Sequence, residues 1–330
     1  VIRAPFAVFP GVLALVLATA ALAQEADTAA APAETPAIQE VVVEGQHQGP
    51  RMWIVRKGDH TLWILGTISP LPKKMVWQPD AVEAVLKEVQ EVIPAWPAYG
   101  IGANPFTALR VYIEWRRLQK PPDNLPLRQS VPPPLYARVS ALKARYAPND
   151  KKLEQMRPML AAREILERVF DAAGLALHNE VQGEVLRLAR EDGVRVSQNK
   201  LKIEDPVDVL KDVNATPLDR EVACLDSVVT LLETDLAPMQ QRARAWALGD
   251  VDTLRRLPHA DDRTACVAAV SASDRVRSLI ERAQNDWLIS VEDGLGRNRG
   301  TLAVQSMDRL LGPSGTLQTL RARGYSVTGP

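Results

Sequence analysis

The chain has 330 residues, 46% of them hydrophobic, and carries 40 basic and 40 acidic side chains. That length and balance allow one large domain or two small ones, and exclude wholesale disorder, collagen-like repeats and a multi-span membrane protein. Zero formal charge also removes the electrostatic footprint of a nucleic-acid binder.

Arg3 precedes an apolar run over residues 4–23 that ends in Ala21-Leu22-Ala23. A basic start, an apolar middle and small residues at the exit read as a secretory signal peptide cleaved after Ala23. An uncleaved N-terminal membrane anchor is the alternative. Residues 24–50 are rich in Ala, Pro, Glu and Thr and lack an apolar period, so they read as a disordered linker, with only Val41-Val42-Val43 suggesting a short strand. The folded domain is therefore expected over residues 51–330. Its compartment would be the periplasm or the exterior, with no stable membrane span once the leader is removed.

Residues 52–55 and 61–65 alternate β-forming side chains around the turn residues Gly58 and Asp59, which predicts a β-hairpin. The second strand runs into Gly66-Thr67-Ile68-Ser69-Pro70-Leu71-Pro72, where two prolines end ladder pairing. A helix is expected from Pro79 to Gln90, with Asp80 in its first turn, and a strand over residues 91–93 follows. Strand, helix, strand in that order predicts a parallel pair. Helices are expected over residues 106–118, 135–146, 160–172 and 179–191, with a short strand at residues 194–196. Thr216-Pro217 reads as an N-cap and first-turn pair. Helices then continue to about residue 289, broken at Pro238, Gly249-Asp250 and Pro258. Strands at 301–304 and 325–327 close the chain around a helix at 317–323.

With strands at both ends and helices between, the predicted fold class is mixed α/β, of α+β type. A mixed β-sheet core comes from the N- and C-terminal segments, and a large helical middle insertion lies over it. The two cysteines, Cys224 and Cys266, form an even pair. In an exported chain such a pair is expected to form a disulfide, with two buried free thiols as the alternative.

Sites are sought where strands pass into loops, here at residues 66–72, 94–102 and 305–312. The segments LWILGTISPLP and TLAVQSMDRLLGPSGTLQTLRARGYSV resemble the TraB/GumN family, which includes the PrgY and TIKI-like proteins. Leu310, Gly312, Gly315, Leu317, Leu320, Gly324, Tyr325 and Val327 stand at matching positions of its closing pattern, and Arg157-Pro158-Met159 resembles a helix start in its middle. The resemblance implies an active site of two G-x-x-H histidines and a glutamate at the end of the strand after the first helix, and metal-dependent proteolysis in TIKI-like members.

This chain departs at each of those places. Ser69 stands for the first histidine, Asp308 for the second with Gln305 in place of the glycine, and Pro94-Ala95-Trp96 where the glutamate belongs. A serine hydroxyl is a poor transition-metal ligand, and one aspartate does not complete a ligand set. The four histidines, His47, His60, His178 and His259, form no spaced pair. His60 reads as a turn residue, and His178 and His259 as exposed residues at helix boundaries. No metal and no cofactor is therefore expected.

Ser69 lacks the G-x-S-x-G frame of a nucleophile elbow, which leaves it and Asp308 as weak catalytic candidates. Gly66, Thr67, Ser69, Trp96, Gln305 and Asp308 are expected to line a degenerate pocket, with Trp96 filling the space of the missing glutamate. Trp53 and Trp63 fit a sheet face, and Arg110, Arg116 and Arg117 form a basic helix face. The functional expectation is an exported, non-catalytic protein with a binding role, for which a peptide or an envelope protein is the partner class. A hydrolase using Ser69 and Asp308, and an accessory of envelope polysaccharide export, are the alternatives.

Overall fold

The computed structural model describes residues 49–330, apart from 74, 76, 97, 102, 103, 177–179, 198, 199, 258–262, 313 and 314. The expected leader and the linker as far as residue 48, with His47, His178, His259 and Pro258, lie outside the described residues. Ten strands are described: β1 (Met52–Lys57), β2 (His60–Thr67), β3 (Leu71–Pro72), β4 (Glu91–Ile93), β5 (Ala98–Ile101), β6 (Leu175–Ala176), β7 (Arg195–Val196), β8 (Lys200–Ile203), β9 (Gly300–Ser306) and β10 (Ser326–Thr328). The helices before the midpoint are α1 (Asp80–Leu86), α2 (Pro105–Leu118), α3 (Leu127–Ser130), α4 (Pro133–Tyr146) and α5 (Pro158–Ala172). They continue as α6 (Glu180–Glu191), α7 (Pro206–Asn214), α8 (Leu218–Thr234), α9 (Leu236–Ala247) and α10 (Val251–Arg256). The last four are α11 (Arg263–Val270), α12 (Asp274–Arg297), α13 (Met307–Leu311) and α14 (Thr316–Ala322).

Six strands form one mixed sheet in the order β10-β1-β2-β9-β4-β7. The hairpin is present, with Lys57 opposite His60 across the turn. β10 extends it antiparallel on the far side, while β2, β9, β4 and β7 run parallel. The fold is thus the mixed α/β arrangement expected, its sheet assembled from both ends of the chain with the two-residue β7 from the middle added at one edge. The expected parallel pair needs correcting, because β2 and β4 do not touch. β9 lies between them, parallel to both. Six of its seven residues are buried, as befits a central strand covered on both faces.

Four other boundaries move. α1 stops at Leu86 instead of continuing to Gln90, because Gln90 turns to β9: its N–H donates to the Gly300 carbonyl at 3.0 Å and its side chain accepts from the Gly300 N–H at 2.9 Å. Pro217, not Thr216, occupies the N-cap of α8, and no side chain caps that helix. Pro238 sits in the first turn of α9 and does not break it, while α12 runs on to Arg297.

Two apolar cores result. One gathers the inner faces of α2, α4, α5, α7 and α8; the other surrounds the sheet. α12 joins them, giving Val276, Leu279 and Ala283 to the helical core and Trp287, Val291 and Leu295 to the sheet core. At about 1.5 Å per residue, its 24 residues are long enough to serve both. Cys224 of α8 and Cys266 of α11 are joined in a disulfide. Among the described residues no helix is long and apolar enough to cross a membrane.

The edge of the sheet opposite the strand ends is held by Glu91, which is 3% exposed. Its Oε2 accepts from Arg297 at 2.8 Å, Asn298 at 2.8 Å and Arg195 at 2.9 Å. Burial pushes this carboxyl up, but the hydrogen bonds from Arg297 and Asn298 and the charges of Arg195 and Arg297 outweigh burial and hold it below its ordinary value. A lowered folded value means that the stabilisation is complete above the unfolded pKa and is lost as pH falls through the folded one. Denaturation midpoints followed from neutral pH to about pH 3 should therefore fall more steeply for the wild type than for Glu91→Gln. Parallel curves would show that Glu91 adds nothing to acid sensitivity.

Candidate functional site

Because β2, β9 and β4 are parallel neighbours, their C-terminal ends leave the sheet on one edge. Gly66 is in register with Gln305, Thr67 with Ser306, and Ile93 with Ala303. The segments that carry Ser69, Trp96 and, in the first turn of α13, Asp308 thus leave the sheet on the same edge.

Aromatic donors brace that edge from beneath. The buried Trp246 indole donates to the Gly66 carbonyl at 2.7 Å, and the Trp287 indole donates to the Val304 carbonyl at 3.2 Å. Trp77 packs on Trp246 with ring centroids 6.0 Å apart. Gly66 has no alternative here, since a Cβ would lie 2.3 Å from the Met307 sulfur and 2.7 Å from the Trp53 ring. Trp53 is buried and Trp63 half-buried, on opposite faces of the hairpin. The exit of β4 is fixed by Gln182 of α6, whose side-chain oxygen accepts from the Ala95 N–H at 2.8 Å.

Within this frame the expected residues divide. Thr67 and Gln305 are buried and serve the strand pair: the Thr67 hydroxyl donates to the Gln305 carbonyl at 3.4 Å, and the Gln305 side chain accepts from the Ser306 N–H at 2.9 Å. Ser69 is exposed and Asp308 half-buried. Trp96 does not fill the space of a missing glutamate. It is 42% exposed, and the Arg309 guanidinium lies over its ring at 4.0 Å from the centroid. His60 opens β2 at the end remote from Ser69 and pairs through Nδ1 with the Leu295 carbonyl at 2.8 Å.

The residue that sequence reasoning missed is Arg242 of α9. Its Nη2 lies 3.8 Å from Asp308 Oδ1, and its Nη1 donates to the carbonyls of Leu254 and Leu257 at 3.4 and 3.5 Å. Burial pulls this guanidinium below its ordinary pKa, and the Asp308 charge opposes that shift. No motif links positions 242 and 308, so only the packing of α9 under the strand ends brings them together. Arg309 was open to detection, being adjacent to Asp308 in the chain.

The arrangement can be tested against the metal that the family resemblance implies. Among the described residues no group of three or more His, Cys, Asp or Glu side chains could hold a metal ion. At the positions where the resemblance implies two imidazoles, this chain has the Ser69 hydroxyl and the Asp308 carboxylate, with Arg242 3.8 Å from Asp308 and a second guanidinium at Arg309. Cationic side chains at the strand ends repel a divalent cation, and the donor set does not fit one.

A mixed sheet whose parallel strand ends are braced by buried indoles makes this a mixed α/β protein. The chain belongs to the TraB/PrgY/gumN family, whose model matches residues 51–329. No curated protein and no solved structure matches it.

Proposed function

We propose that this family member is an exported, non-catalytic protein whose strand-end site binds a partner, a peptide or an envelope protein, instead of cleaving a substrate. The observation that carries the reading is the pairing of Asp308 with the half-buried Arg242. A guanidinium stands beside the residue at the position of a metal-binding histidine, which favours polar recognition of a partner over metal-assisted cleavage. Trp96 and Arg309 add an aromatic and cationic surface of the kind that recognises peptide carboxylates and amides. Export is supported by the apolar run at residues 4–23, its Ala21-Leu22-Ala23 ending, and the disulfide, a bond most common in oxidising compartments.

Purified protein is expected to carry no stoichiometric zinc, manganese or cobalt by elemental analysis. It is also expected to cleave no peptide, with or without added divalent cations. Hydrolysis that is present in the wild type and lost in Ser69→Ala or Asp308→Ala would overturn the binding reading in favour of a rearranged hydrolase.

A further inference from the structure

The helix α2 packs its inner face, Val111, Glu114 and Leu118, toward α7 and the helical core. Its outer face is unusual. Phe106 is 81% exposed, Leu109 57%, Tyr112 56% and Ile113 41%. These are four of the ten large apolar side chains left exposed among the described residues, and they fall within eight consecutive positions. Single exposed apolar residues are ordinary, whereas a contiguous group on one helix face marks a surface that meets something apolar.

The spacing 106, 109, 113 places three of them on one stripe at helical period, with Tyr112 at its flank. The charges exposed on the same helix and just beyond it are Arg110, Arg116, Arg117 and Lys120, all basic. The helix's one acid, Glu114, is buried and paired with Arg117 at 2.7 Å. The acids of the neighbouring α7 are engaged as well, Asp208 by Lys211 at 2.8 Å and Asp212 by Arg275 at 2.9 Å. An apolar stripe bordered by bases is the pattern of a helix that lies in the interfacial plane of a bilayer, its apolar side chains among the acyl chains and its bases at anionic headgroups.

We propose that the outer face of α2 docks this protein onto an anionic phospholipid surface. A second copy of the chain fits the face less well. In a two-fold pair of α2 faces, the exposed Arg110 and Arg116 would meet a surface whose exposed charges are again basic. Anionic headgroups neutralise these bases instead. The docking surface is separate from the strand-end site and does not rest on how that site functions.

The test uses the full chain carrying Leu109→Cys. Cys224 and Cys266 are joined to each other, so a nitroxide label attaches at position 109 alone. On vesicles of equal parts phosphatidylglycerol and phosphatidylcholine, the label is expected to gain collisions with oxygen several-fold over those with a polar nickel chelate, which is the signature of acyl-chain depth. On phosphatidylcholine alone it should remain aqueous, and adding Arg110→Glu with Arg116→Glu should abolish the depth signal on the mixed vesicles. The readout is local to α2, so an N-terminal anchor elsewhere in the chain does not move it. A label that stays aqueous on both vesicles overturns the proposal, as does a depth signal indifferent to lipid charge. Spin–spin broadening without vesicles would assign the face to a second copy of the chain and equally overturn it.

Discussion

Replacing Glu221 with alanine is expected to lower the unfolding free energy by about 3–5 kcal/mol, which is a large share of a typical domain's stability. Glu221 is fully buried on α8, and Arg157, at the N-terminus of α5, is 3% exposed. Arg157 Nε donates to both carboxylate oxygens at 3.0 Å, Nη2 donates to Oε1, and the Met159 N–H donates to Oε2 at 3.4 Å. Arg157 also reaches the side chain and the carbonyl of Asn214 at 3.3 Å each, and Asn214 in turn donates to Glu114 of α2. One ion pair therefore ties α5, α8, α7 and α2 into a single network.

Removing the carboxylate would leave a guanidinium in an apolar core without its partner, and that uncompensated charge is the source of the cost. The loss is much smaller if both partners go. Glu221→Leu with Arg157→Met is expected to recover most of the loss, because the pair itself adds little beyond what apolar packing would supply. Denaturant titrations of the two variants check this. A loss under about 1 kcal/mol for Glu221→Ala would show that water or a rearranged neighbour reaches Arg157.

The second large effect is expected at the disulfide. Reduction of Cys224–Cys266 releases a loop of 42 residues and should cost about 4 kcal/mol in the chain-entropy description. Cys224 is fully buried on α8, one turn from Glu221, so reduction is a cleaner comparison than replacement, which would also open a cavity. Oxidised and reduced protein compared by denaturant midpoint should differ accordingly, and coinciding midpoints would mean that the packing of α11 on α8 holds without the bond. The proximity of the two sites also means that their effects are not expected to add.

What could be read along the chain was what local chemistry enforces. The hairpin was legible because alternating β-formers meet a Gly-Asp turn. β9 was legible as an apolar run between glycine and a loop, and α5 because Arg157-Pro158 opens a periodic apolar face. The placement of β9 between β2 and β4 was not legible. A strand more than 200 residues away in sequence carries no local mark of which neighbour it will join. The length of α1 failed for the same reason, since Gln90 is claimed by Gly300.

The site divides along the same line. That Ser69, Asp308 and Pro94-Ala95-Trp96 stand where the family resemblance implies two histidines and a glutamate could be read from the motif positions. That a guanidinium answers Asp308, and that Trp96 stands exposed beneath Arg309, came only from packing. For α2, the helical period was plain in the sequence, but which of its apolar residues would be covered was not. Phe106 and Val111 are both apolar, and only the position of α7 buries one and leaves the other in water.

The sequence by itself determined the family and the mixed α/β class, and made the Cys224–Cys266 bond and the loss of the histidines expectations, because each is written in residue type and short spacing. The tertiary structure alone decided the strand order, the cation at Asp308 and the bare face of α2. Those depend on contacts between distant segments, whose free energy is set by shape and burial in the assembled fold and not by any neighbour in the chain.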